Sequence, residues 1–327
     1  MASATRGQRI LLIGLLVSAL MVIPLFLEMI GRGSLAAPFA YGGIIAFIAA
    51  FYGLKLSVAL SVAAGVGGTL AALLNPYPIP GAIFFGLLTF GAALMARRGL
   101  HNPVLTVPIF VSFILVAPPT VAGVSPTTVA LLVGCALIAG GLWATAATHL
   151  LIGSSLPHIS PHPIGWHTTL TYAALMGVLV GAAAWGLLTW ARFHEGAWLL
   201  LTLIIVLQPS PHDTLVRSLQ RLAGTLMGGA IALVLIMLGM QGTPALIAGG
   251  FAIFIALTLR YVLHRPYWEY VAALTPGAIL LNARGVDAAR VAEDRIGFTM
   301  LAVVAAVTIA LVVKAFAIRW THTAKST

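Results

Sequence analysis

QPSPHDTLVRSLQRLAGTLMGG, residues Gln208–Gly229, is the stretch on which the reading of this chain turns. A Pro-Ser-Pro break leads into Asp213, Arg217, Arg221 and Thr225 at steps of four, which a helix lays along one stripe. Ser210, Pro211 and Asp213 make a helix-start signature: a capping residue, a proline in the first turn, and an acid three residues after the cap. Everything after Arg221 is apolar or small, so two cations stand at the mouth of a hydrophobic helix. Arginines there are costly and mark either a pathway or an anchor. Arg217 is close enough to the start to reach lipid headgroups. Arg221 lies about ten residues in, or ~15 Å along the axis, where that reach fails. Gly224 and Gly228 form a GxxxG, the spacing at which a second helix packs closely.

Composition sets the solvent. Of 327 residues, 61% are hydrophobic and 7% charged, with a mean hydropathy of +1.07. Soluble domains carry about 25% charged residues, so this chain is an integral membrane protein. Apolar runs fall at 10–30, 37–53, 56–74, 79–96, 103–117 and 127–151. A second set follows at 167–191, 197–208, 213–239, 243–262, 266–282 and 291–317. Most have the length an α-helix needs to cross ~30 Å of hydrocarbon; 103–117 and 197–208 are short. The expectation is an all-α integral membrane protein of about twelve transmembrane helices. Arg6 and Arg9 lead straight into a full-length apolar segment, so no cleavable signal peptide is expected. Cys135 is the single cysteine, which excludes an intrachain disulfide.

Two sets of six segments suggest a repeat. Gly68-Thr69-Leu70 matches Gly224-Thr225-Leu226, His101-x-Pro103 matches His264-x-Pro266, and Gly134 matches Gly297. Residues 1–165 would form a degenerate first six-helix repeat and 166–327 a second. Six is even, so the repeats would be parallel, related by an axis along the membrane normal. The formal charge of +10 then sorts by side. With a cytoplasmic N-terminus, Arg6, Arg9, Lys55, Arg97, Arg98, Arg217, Arg221, Arg260, Arg265, Lys314, Arg319 and Lys325 lie inside. Arg32, Arg192, Arg284, Arg290 and Arg295 lie outside. Both termini are therefore expected in the cytoplasm. Most of the positive charge is topological, which removes the case for nucleic acid as a partner.

Three further clusters carry candidate chemistry. In His264-Arg265-Pro266-Tyr267-Trp268-Glu269-Tyr270 the aromatics fit an interfacial belt, while Glu269 is a carboxylate inside a segment and a proton-coupling candidate. Arg290, Glu293, Asp294 and Arg295 precede Gly297 and Thr299; Arg290 and Asp294 are spaced to pair, and Arg295-x-x-x-Thr299 echoes Arg221-x-x-x-Thr225. Asp213 and Asp294 are the other proton candidates. Arg221, Arg217, Thr225, Arg265 and Arg295 are the anion-binding candidates. His149, His158, His162 and His167 crowd the central loop, but no acid or thiol is near them in sequence, so no metal is expected. No nucleophile elbow, phosphate loop or paired-carboxylate motif is present, so neither an enzyme nor a cofactor is expected.

Trp198, then Gln208-Pro209, then Arg221-Leu-Ala-Gly-Thr225-Leu-Met-Gly228 resembles the signature of the fusaric acid resistance, or aromatic acid exporter, membrane domain. The similarity is clearest over 190–315; in the first half Gly68-Thr69 lacks the preceding arginine. The resemblance implies a bacterial inner-membrane permease for efflux of aromatic carboxylic acids or similar anions, driven by the proton gradient. Its expected partners are the lipid bilayer, a small organic anion, and a periplasmic adaptor or a second copy of the chain. Many relatives carry a large cytoplasmic domain that this sequence lacks. A passive anion channel on the same scaffold, or an accessory membrane subunit, is the alternative reading.

Overall fold

The computed structural model describes residues 6–151, 153, 159–190, 196–240, 243–282 and 288–323. Among these it contains helices and no strand. In chain order they are α1 (Arg6–Met29), α2 (Ala36–Ala50), α3 (Leu54–Leu74), α4 (Pro78–Leu94), α5 (His101–Val104), α6 (Thr106–Val116) and α7 (Pro126–Leu151). Then come α8 (Trp166–Trp190), α9 (Ala197–Val206), α10 (Pro211–Met237), α11 (Thr243–Tyr261), α12 (Tyr267–Asn282) and α13 (Ala288–Thr323). Each of the twelve apolar runs falls on a helix, with 103–117 broken between α5 and α6. Eight stretches are long and apolar enough to cross a membrane, in α1, α2, α3, α4, α7, α8, α10 and α13. The stretches in α5–α6, α9 and α11 are shorter. The protein is thus a multi-pass helical membrane protein.

The burial pattern is that of a lipid-solvated bundle. In α10 the outward positions are Val216, Leu219, Leu226, Met227, Ile231, Val234 and Met237. Its buried positions are Thr214, Ser218, Arg221, Gly224, Thr225, Gly228, Gly229 and Ala232. A helix in water shows the reverse, with apolar residues inside. In lipid, apolar side chains gain little from burial, so small and polar residues take the helix contacts.

The chain divides into two compact units, Met1–Ile204 and Ile205–Thr327. In the first, α2, α3 and α7 pack through small residues. A Cβ on Gly42 would strike the carbonyl of Leu137, and one on Gly140 the carbonyl of Phe39. Ser57 Oγ ties the three helices together, 2.8 Å from the Ala46 carbonyl and 2.7 Å from Thr145 Oγ1. The antiparallel helices α4 and α8 meet at Gly86, Gly177 and Gly181. In α9 nearly every residue from Ala197 to Val206 is buried, and Trp198 packs its ring edge-on against Phe113 at 4.9 Å. At ten residues α9 is ~15 Å long, about half the hydrocarbon thickness.

In the second unit α10 and α12 run parallel. A Cβ on Gly224 would lie 2.6 Å from the Trp268 carbonyl oxygen, and one on Gly228 2.6 Å from that of Ala272. Helix α13 runs antiparallel to α10: Gly229 faces Ile296, and Ala232 packs with Ile279, Val291 and Ala292. Helix α11 covers α12 at Gly277, which faces Gly249 and Ile253.

Candidate functional site

The start of α10 is built by its own sequence. Pro209 and Pro211 cannot donate backbone hydrogen bonds, so the chain must break between α9 and α10. Ser210 stands at the cap position in an extended conformation with Pro211 behind it, but its hydroxyl makes no capping bond. Thr214 fastens the break instead. Its Oγ1 accepts the Gln208 N–H at 2.9 Å and lies 3.1 Å from the Ser210 carbonyl, to which it can donate. That closes the turn between the two helices with a buried hydroxyl one turn further on.

From there the buried stripe of α10 climbs through Thr214, Ser218, Arg221 and Thr225. The expected stripe of Asp213, Arg217, Arg221 and Thr225 is therefore rotated by about one residue, and Asp213 is exposed. Arg221 is 2% exposed. Its Nη1 donates to the Tyr267 hydroxyl at 3.4 Å, a long bond, and its Nε has no hydrogen-bond partner. The hydroxyls of Ser218 and Thr225, one turn to either side, are buried and likewise lack a partner. Arg217, half-buried, places its guanidinium carbon 4.3 Å from the centre of the Tyr267 ring. That is cation–π distance. One tyrosine at the start of α12 thus holds two arginines of α10, one by its hydroxyl and one by its face.

The acids stand elsewhere. Glu269 Oε2 pairs with Arg265 Nε at 2.8 Å, with the carboxylate side chain 17% exposed and the arginine 56%. The ion pair expected between Arg290 and Asp294 is absent: Arg290 is exposed and Asp294 half-buried. Such a pair at a helix end is worth only ~0–1 kcal/mol, so leaving it open costs little. Arg295, 1% exposed, and Thr299 lie buried one turn apart on α13. The antiparallel register puts Arg295 level with Gly229, roughly 12 Å along α10 from Arg221. No metal-binding group of three or more His, Cys, Asp or Glu occurs among the described residues. Of the loop histidines, His158 lies outside them.

Sequence reasoning placed Tyr267 in an aromatic belt and passed over Ser218 and Thr214. The stripe was legible: residues 214, 218, 221 and 225 follow the 4-3-4 spacing of one helix face. Tyr267 had a weaker signal, as the first residue after the proline that opens α12.

A helical bundle with apolar faces turned outward that buries Arg221 with no acid paired to it among the described residues is a membrane protein with a polar site in its interior. Residues 182–309, which include Arg217, Arg221, Tyr267, Glu269 and Arg295, match the model of the fusaric acid resistance protein-like family. The resemblance read from Trp198, Gln208-Pro209 and Arg221-x-x-Gly-Thr-x-x-Gly is thereby shown over that stretch. The match covers less than half of the chain. No curated protein and no solved structure matches the chain.

Proposed function

We propose that this protein is an inner-membrane permease that exports organic anions, aromatic carboxylates among them, in exchange for protons. The observation that carries the reading is Arg221: a guanidinium buried in a membrane-spanning helix, with a phenol as its one hydrogen-bond partner among the described residues. A buried cation lacking an opposite charge is strongly destabilising, so the fold keeps it for a ligand that supplies that charge. A carboxylate fits, since it pairs with guanidinium through short, charge-assisted hydrogen bonds. The unpartnered hydroxyls of Ser218 and Thr225 add neutral donors along the same face. Arg295, deeper along α10, is the second station of the path.

In this reading Glu269 carries the proton. Its carboxylate is mostly shielded and tied to Arg265; protonation would release Arg265, linking a proton to a change in positive charge at the start of α12. Asp213, exposed, and Asp294, half-buried, are the weaker sites. Twelve spans in two parallel six-helix repeats remain part of the proposal. It is supported at the level of elements by the antiparallel packing of α3 on α7 and of α10 on α13, the third and sixth segments of each set. The protein acts without enzymatic chemistry, on a small organic anion, with both termini in the cytoplasm.

The test is transport of 4-sulfobenzoate in proteoliposomes; its permanent sulfonate keeps it from crossing lipid unaided. Accumulation against its own gradient, driven by an imposed pH gradient, is expected. Flux that follows only the electrochemical gradient of the anion would replace the exporter with a passive channel.

A further inference from the structure

We propose that Tyr267 is the positioning residue of the anion site: a neutral partner that fixes Arg221 through its hydroxyl and Arg217 through its ring, leaving both positive charges to a bound organic anion. This rests on the anion-binding reading of Arg221 above.

The argument starts from what the two arginines lack. The usual partner of a buried arginine is a carboxylate, which would both orient the guanidinium and cancel its charge. Here no salt bridge to Arg221 or Arg217 forms among the described residues; the exposed Asp213 acts on Arg217 only at longer range, and the close orienting contacts come from one phenol. Tyr267 is itself buried, so its position is set by packing rather than by solvent. Its oxygen takes one hydrogen from Arg221 Nη1, and the Nε–H of the same guanidinium stays unpartnered. Its ring carries negative charge density on the face, where Arg217 lies at 4.3 Å. Neither contact transfers charge. The long stems of two arginines, each with many rotamers, are thus held in place while the site keeps two positive charges. Such preorganisation lowers the entropy lost when a ligand binds.

The backbone fixes this geometry. Gly224 and Gly228 bring α10 against α12 with no side chain between them. That contact sets Tyr267 level with Arg221, one helix turn before Gly224. Tyr267 also leads α12 directly after Pro266, so its place follows from the helix start itself.

The experiment is isothermal titration of benzoate into the full chain in lipid nanodiscs, with thermal unfolding of the same samples. Tyr267→Phe keeps the ring under Arg217 and removes the acceptor of Arg221. It is expected to weaken benzoate about tenfold, one hydrogen bond to a charged group, and to lower the unfolding midpoint because Arg221 Nη1 is left without its acceptor. Tyr267→Glu supplies the missing carboxylate. It is expected to abolish benzoate binding while the midpoint holds or rises, a divergence that a merely structural tyrosine would not give. Wild-type affinity in Tyr267→Phe, or benzoate binding retained in Tyr267→Glu, would overturn the proposal and leave the anion-binding reading standing. If the wild-type protein itself binds no benzoate, both fall together.

Discussion

A guanidinium held 2% exposed against a phenol is a local defect in stability. The desolvation of Arg221 is not offset by an opposite charge, and its Nε–H is left without any acceptor. Arg221→Met keeps the stem and volume and removes the charge. It should raise the thermal unfolding midpoint in detergent, by a change on the order of 1–3 kcal/mol; a lower midpoint would mean the charge is satisfied in the resting protein. Thr214 has the opposite role, since its hydroxyl is the fastening of the α9–α10 break. Thr214→Val keeps the shape and strands the Gln208 N–H, at a cost of about 1–3 kcal/mol read from the same unfolding curve. The arginines were legible in the sequence because charge stands out in an apolar run. Thr214 was not, because a threonine in a helix gives no sign of which carbonyl or amide it reaches.

At the scale of the helix pair, the α10–α12 contact depends on the absence of side chains. Gly224→Ala puts a methyl 2.6 Å from the Trp268 carbonyl oxygen and the Val271 Cβ, so the helices must part. The expected loss is about 1–3 kcal/mol, and with it the register of Tyr267 on Arg221. Gly297 on α13 is the control. A Cβ there meets nothing within 4 Å, so Gly297→Ala should be neutral or stabilising by up to ~1 kcal/mol. Comparing the two midpoints checks whether close approach, rather than glycine in a helix as such, sets the effect. The GxxxG spacing pointed to a close neighbour but could not say which helix it was. That information lies in the packing of Trp268, Val271 and Ala272, residues that are unremarkable as letters.

For the molecule as a whole, hydropathy carried the fold class, because the solvent selects composition before any contact forms. Length separates the crossings: eight stretches among the described residues are long enough for a full span, α5–α6, α9 and α11 are apolar but shorter, and α12 has sixteen residues interrupted by Pro276. Apolarity does not distinguish a helix facing lipid from one enclosed by protein, and α9 is enclosed on nearly every side. Orientation is the other whole-molecule property, and basic residues decide it. A reporter that fluoresces only in the cytoplasm, fused after Thr327, should be active, and alkaline phosphatase at the same point inactive. The reverse pattern would invert the orientation and place Arg217 and Arg221 on the opposite face.

The central claim is that the buried charge of Arg221 exists to meet an organic anion. It is tested most directly by titrating benzoate into the wild-type protein and into Arg221→Gln, which keeps a polar side chain and deletes the charge. Loss of a desolvated guanidinium–carboxylate pair is worth about 2–5 kcal/mol, so affinity should fall at least thirtyfold while the variant inserts and folds normally. Equal affinity in the two proteins would contradict the account.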